Sequence, residues 1–160
     1  MPTSLTPIAL GESRRILVVD DDTGILNLEA IALELAGHRV DKAADGERAW
    51  KALLVGNYDL LVTGYVMPGV SGLALARRLR VADMMLPIVM VSGNLREIDA
   101  SKISNDPWTR IDAFLAKPFK ISELLSVVNR ALGVATTAAK SEPCGARSAD
   151  PVGAMVSRLS

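Results

Sequence analysis

Three short apolar runs in this chain of 160 residues each end in a side chain able to do chemistry, and a fourth ends in none. Asp20 and Asp21 follow Ile16 to Val19, Ser92 follows Ile88 to Val91, and Lys117 follows Ile111 to Ala116. Runs of this kind read as strands buried on both faces. In an open α/β sheet the chemistry collects just beyond the carboxyl ends of such strands. Adjacent carboxylates repel unless a cation or a lysine offsets them, so the acidic pair suits Mg²⁺, a hard ion that takes oxygen ligands. Lys117 is a compact charge able to bind a phosphoryl oxygen, and the Ser92 hydroxyl could donate to the same group. The run from Leu60 should deliver a reactive side chain at position 64, and the residue there is Gly64.

The rest of the chain supplies elements that would gather these positions. Residues 1 to 13 have two prolines and no period, and read as a flexible leader. A helix is expected from Thr23 to Ala36, with Ile25, Leu28, Ala32 and Leu35 as its apolar face, Asp22 or Thr23 as its cap and Gly37 at its end. His38 to Ala43 reads as a second strand, and Asp45-Gly46 opens a helix bearing Ala49, Ala52 and Leu53, stopped by Gly56. Met67-Pro68-Gly69 forces a turn, and Ser71 caps a third helix running to Ala82, with Arg77 and Arg78 on a solvated face. A fourth helix over Asn94 to Ile103 has the sparsest stripe. Ile121, Leu124, Leu125, Val128 and Leu132 mark a fifth, closed by Gly133. Strands alternating with helices predict a three-layer α/β fold around a parallel sheet, because each right-handed crossover lays its helix on one face or the other.

Composition excludes several function classes. Eighteen basic residues cancel eighteen acidic ones, so no overall field gathers nucleic acid or anionic membrane. Met1 to Gly11 lacks the basic and apolar regions of a secretory signal, and Gly64, Pro68, Gly69 and Gly72 interrupt the apolar stretch after Leu60, so a cytoplasmic protein is expected. The lone Cys144 falls in residues 134 to 160, a stretch rich in Ala, Ser, Thr, Pro and Gly that reads as a disordered tail. His38 reads as a surface residue at a strand start, and Trp108 as packing beside Pro107.

Four segments in order carry a family likeness. ILVVDDD (16 to 22), DLLVTGYVMPGVSG (59 to 72), PIVMVSG (87 to 93) and AFLAKPF (113 to 119) resemble the receiver domain of two-component response regulators, over about residues 14 to 133. The resemblance implies a flavodoxin-like sheet of strand order 2-1-3-4-5. It implies Asp20 and Asp21 as a Mg²⁺-binding pair, with the backbone carbonyl of Val66 as a further ligand. Ser92 falls at its hydroxyl switch position, Phe114 at its aromatic switch position, and Lys117 at the phosphoryl contact preceding a usually cis proline. Gly64 falls on the phospho-accepting aspartate.

That departure decides the expected function. Phosphoryl transfer needs an oxygen nucleophile in line, and glycine offers none. Thr63 should point to the other side of the strand, Tyr65 begins the loop, and Asp59 lies roughly 16 Å away at about 3.3 Å per residue. With one carboxylate missing, Mg²⁺ binding is expected to be weak, and Lys117 is expected to pair with Asp20 or Asp21. The expectation is a single-domain receiver that is not an enzyme and signals by binding a histidine kinase, a phosphotransfer protein or a downstream signalling protein, through the surface of the fourth and fifth helices and fifth strand that the resemblance implies. One alternative is an ordinary phospho-receiver in which Gly64 is an engineered or sporadic change. Another is a phosphatase of the haloacid-dehalogenase type, because DDDT at 20 to 23 resembles its D-x-D-x-T strand-end motif, with Asp20 and Asp22 in step and Thr23 one position early.

Overall fold

The computed structural model describes residues 13–94, 103 and 106–133. Within them, β1 (Arg15–Val19), α1 (Thr23–Leu35), β2 (Arg39–Ala43), α2 (Gly46–Val55), β3 (Leu60–Gly64), α3 (Gly72–Val81), β4 (Ile88–Ser92), β5 (Ala113–Ala116) and α4 (Ile121–Ala131) follow one another along the chain. The strands form one sheet in the order β2-β1-β3-β4-β5, every neighbouring pair parallel. This is the order the resemblance implies. The leader, most of the segment expected as a helix over Asn94 to Ile103, and the tail lie outside the described residues.

Burial follows strand position. β3 and β4 are buried at every residue, whereas β2, at the edge, buries only Ala43. Successive strand residues face opposite sides, so Ile16 and Val18 join Val62, Leu124 and Val128 beneath α1 and α4, while Leu17 and Val19 join Leu61, Leu53 and Leu75 beneath α2 and α3. Two apolar layers thus fix which way each strand end points.

Helix starts conform to the sequence chemistry. The Asp22 side chain accepts from the Gly24 and Ile25 amides, Asp45 from Arg48, and Ser71 from Ala74. Glu123 reaches back to accept from the Lys120 amide at 2.7 Å, closing the first turn of α4. The buried face of α1 differs from the expected one. Leu26, Glu29, Ala30, Ala32 and Leu33 are buried, while Leu28 and Leu35 are exposed. Apolar residues occur nearly all round this helix, so periodicity alone offers two stripes, and the sheet takes the one containing Glu29. β5 begins at Ala113, two residues later than the apolar run suggests, because Asp112 turns its carboxylate to the Ile88 amide at 2.8 Å.

Two close approaches require glycine. A Cβ on Gly72 would lie 2.0 Å from the Gly64 carbonyl oxygen, and one on Gly46 would lie 2.6 Å from the Val70 carbonyl oxygen. Both let a helix start against the loop beyond a strand end.

Candidate functional site

Parallel pairing brings the ends of β1, β3, β4 and β5 to one edge. Val19 is level with Thr63, Gly64 with Val91, and Ser92 with Ala116. The residue after each end therefore faces a shared crevice, and the backbone ties its walls. The Tyr65 amide donates to the Val91 carbonyl at 2.8 Å, and the Lys117 amide to the Ser92 carbonyl at 2.8 Å.

Asp20 is the centre of the crevice. Its side chain is 1% exposed and receives two hydrogen bonds, from the Asp22 amide to Oδ1 at 2.9 Å and from Lys117 Nζ to Oδ2 at 3.0 Å. Lys117 keeps 28% of its side chain exposed, whereas its partner carboxylate is enclosed. The Lys117–Pro118 peptide is cis. Of the two carboxylates expected to pair with Lys117, only Asp20 does so, and Asp21 is exposed.

The remaining sequence-derived positions fall around this pair. A Cβ on Gly64 would stand 3.5 Å from Asp20 Oδ2 and 3.6 Å from Met67 Cγ, which are ordinary contacts. The backbone there is not left-handed, so neither conformation nor space requires glycine at this position. Ser92 is buried, its hydroxyl accepting from the Asn94 amide at 3.1 Å. Phe114 is half-buried and packs on the layer beneath α2 and α3. Val66, in the loop after β3, is 76% exposed.

The poor substitutes for a nucleophile at position 64 are accounted for individually. Thr63 is fully buried and its hydroxyl donates to the Gly64 carbonyl at 3.0 Å. Asp59 sits at the opposite edge, accepting from the Arg15 amide at 2.8 Å. Asp22, the second carboxylate of the D-x-D-x-T reading, is spent on capping α1, which takes it out of the crevice.

Sequence reasoning missed Glu29. This residue on α1 is 1% exposed, and neither carboxylate oxygen has a hydrogen-bond partner. Burial, reinforced by the negative charge of Asp20 and opposed by Lys117, pushes its pKa up to about 8. Glu29 is therefore held largely in its protonated form at pH 7. The signal was the spacing of Leu26, Glu29 and Leu33, a charge written into an apolar stripe.

Among the described residues no group of three or more His, Cys, Asp or Glu side chains is placed to hold a metal ion. Both Asp20 oxygens are already engaged, Oδ1 by the Asp22 amide and Oδ2 by the Lys117 ammonium. Also among the described residues, no helix is long and apolar enough to cross a membrane.

Comparison with known proteins agrees with this architecture. The family model described as the response regulator receiver domain matches residues 16–129. The transcriptional regulatory protein TcrA of Mycobacterium tuberculosis is 36% identical over 112 residues, which cover 70% of this chain and 43% of that protein. The DNA-binding transcriptional regulator NtrC of Azospirillum brasilense is 36% identical over 117 residues, covering 73% of this chain and 24% of that protein. The chain thus spans less than half the length of these two relatives. Among solved structures, the response regulator TrrA of Thermotoga maritima, in complex with Mg²⁺ and BeF, aligns with a TM-score of 0.63 and 32% identity over 74% of this chain and 98% of that one. The receiver domain of a Francisella response regulator aligns with a TM-score of 0.66 and 29% identity, over 76% and 98%.

Proposed function

The chain belongs to the response regulator receiver domain family of two-component signalling, and we propose that it signals by protein binding without phosphotransfer, Gly64 standing where the family carries its phospho-accepting aspartate. The observation that carries this reading is the Lys117–Asp20 pair at 3.0 Å beside a residue with no side chain. A phosphoryl group would need an oxygen at position 64 to be attached, and Lys117 already has an internal carboxylate in place of that group. The protein is accordingly a cytoplasmic binding module, not an enzyme, with a receiver over residues 14–133. Its partners are a histidine kinase, a phosphotransfer protein or a downstream signalling protein. Mg²⁺ binds weakly, through Asp20, Asp21 and the Val66 carbonyl, because any ion must compete with the Lys117 ammonium for Asp20. Ser92 and Phe114 keep their switch positions, with no phosphoryl group to move them.

One observation favours a second reading. The ordinary contacts a Cβ would make at Gly64 leave room for a carboxylate, which suits an ordinary phospho-receiver whose acceptor has been replaced by an engineered or sporadic change. Treating the protein and its Gly64→Asp variant with a small acyl phosphate and Mg²⁺ separates the two. No phosphoryl uptake by the parent chain supports the binding module, and uptake on an aspartate of the parent chain overturns it. Uptake restored by Gly64→Asp indicates a crevice otherwise competent for transfer.

A further inference from the structure

The outer face of α1 is apolar and, among the described residues, uncovered. Leu28, Ile31 and Leu35 follow one another at helical spacing, with Ile31 54% and Leu35 77% exposed. Single apolar residues on a surface need no explanation, whereas a stripe of them turned to water along one helix is a face without its cover. The sheet and α4 already occupy the opposite side of this helix, through Leu26 and Leu33.

The chain enters β1 beside the end of α1. The Arg14 amide donates to His38 Nδ1 at 3.2 Å, and the Arg14 carbonyl accepts from the Arg39 amide at 2.9 Å. The His38 amide in turn donates to the Leu33 carbonyl at 3.1 Å. These bonds fasten Arg14 to the residues that directly follow the helix. Arg14 Nε is buried at this point with no hydrogen-bond partner among the described residues. A buried donor seldom goes unmet, and the residues just before Arg14 are placed to bring it an acceptor. Those residues, 1–12, lie outside the described part. From Pro2 to Gly11 they carry no charged side chain, and Ile8 and Leu10 are the large apolar residues nearest to β1.

We infer that Pro7 to Leu10 lie extended along the outer face of α1, Leu10 on Leu35 and Ile8 on Ile31, as a strap that any partner of this face must displace. The spacings agree. Residues two apart on one side of an extended chain are separated by about 6.6 Å, and residues four apart in a helix rise by about 6 Å. Pro7 fixes its own φ and biases Thr6 toward the same extended form. The four steps from Arg14 back to Leu10 span about 13 Å, enough to round the end of a helix about 10 Å across. Residues 134–160 also start beside α1, after α4, but their adjacent pair of large apolar residues, Met155 and Val156, is about twenty positions beyond Gly133. A shorter tether holds its segment at higher effective concentration, which selects the leader as the occupant.

A nitroxide label on the full chain tests the strap. With Cys144→Ser and Ala9→Cys, the label stands between Ile8 and Leu10 and leaves both in place. The amide resonances of positions 31 and 35 should lose most of their intensity, and those of α3 none. Ile31→Asp with Leu35→Asp, both at exposed positions outside the core, should restore the intensity. Ile8→Asp with Leu10→Asp should do the same. Full intensity in the labelled parent, or equal loss in parent and variants, overturns the inference, the latter because a segment that merely stays near the helix end ignores these side chains. Two further outcomes overturn it by assigning another occupant. One is loss seen only between labelled and unlabelled molecules, which makes the cover a second copy. The other is loss from a label at the natural Cys144 that either aspartate pair on α1 removes, which makes it residues 134–160. None of these readouts involves position 64, so the strap and the phosphotransfer reading stand or fall separately.

Discussion

Arg80 and Lys117 are cations at opposite edges of the same sheet, and they are held in opposite ways. Arg80, on α3 near the strand starts, has a side chain only 5% exposed and donates to the carbonyls of Met84, Leu86, Thr109 and Arg110 at 2.7 to 3.2 Å, with Asp112 3.8 Å away. Lys117, at the strand ends, has one side-chain partner among the described residues, Asp20, and remains 28% exposed. A guanidinium with its donors satisfied by backbone oxygens fixes the path of the chain. An ammonium with three donors and one partner keeps capacity for a ligand. The same sheet thus separates the edge that holds the fold from the edge that is open to chemistry.

The contrast breaks first at Arg80. Arg80→Ala should lower unfolding free energy by about 3 kcal/mol, because it strands buried carbonyls and removes charge-assisted hydrogen bonds. Urea unfolding measures this, and a loss no larger than that of Lys117→Met would dissolve the distinction.

Glu29 sharpens it through pH. A folded pKa raised to about 8 from the ordinary glutamate value of 4.5 means that the folded state holds a proton the unfolded state releases. The stability this provides is complete below about pH 4.5 and drains away as pH rises to about 8, at up to about 1.4 kcal/mol per pH unit. Glu29→Leu should flatten that slope and make the protein more stable at pH 8 than the parent. A slope unchanged by the substitution would mean that Glu29 has another partner or an ordinary pKa.

Lys117→Met should cost about 1 to 2 kcal/mol, since Asp20 keeps the Asp22 amide but loses its cation in a buried place. Smaller still is the expected response to Mg²⁺. The parent chain's unfolding midpoint should barely move with Mg²⁺, whereas in Gly64→Asp, where a second carboxylate beside Asp20 adds repulsion of about 4 kcal/mol before screening, the ion should restore stability. Equal stabilisation of the two proteins would show that the Lys117–Asp20 pair does not exclude the metal.

Much of this was legible in the residues. The apolar runs placed four strands, and the reading of His38 to Ala43 the fifth, within two residues of their observed limits, and Asp45 and Ser71 announced their helix starts. Strand order was not available from periodicity, since every central strand is equally apolar, and came only with the family resemblance. The register of α1 was misread because Ile25, Leu28, Ala32 and Leu35 form as regular a stripe as Leu26, Glu29 and Leu33, and choosing against a glutamate follows the ordinary rule for burial. The Arg80 clamp was illegible because its partners are backbone oxygens, which leave no mark in a sequence. In the crevice, Asp20 and Lys117 were identifiable by type and spacing, but which of Asp20 and Asp21 meets Lys117 was not, because both directly follow β1.

The central claim is that position 64 supplies no acceptor and that its neighbours do not replace it. Intact-protein mass after treatment with a small acyl phosphate and Mg²⁺, run for the parent chain beside Gly64→Asp, tests this most directly. The account predicts an unchanged mass for the parent chain; a single phosphoryl group mapped to an aspartate of that chain would contradict it.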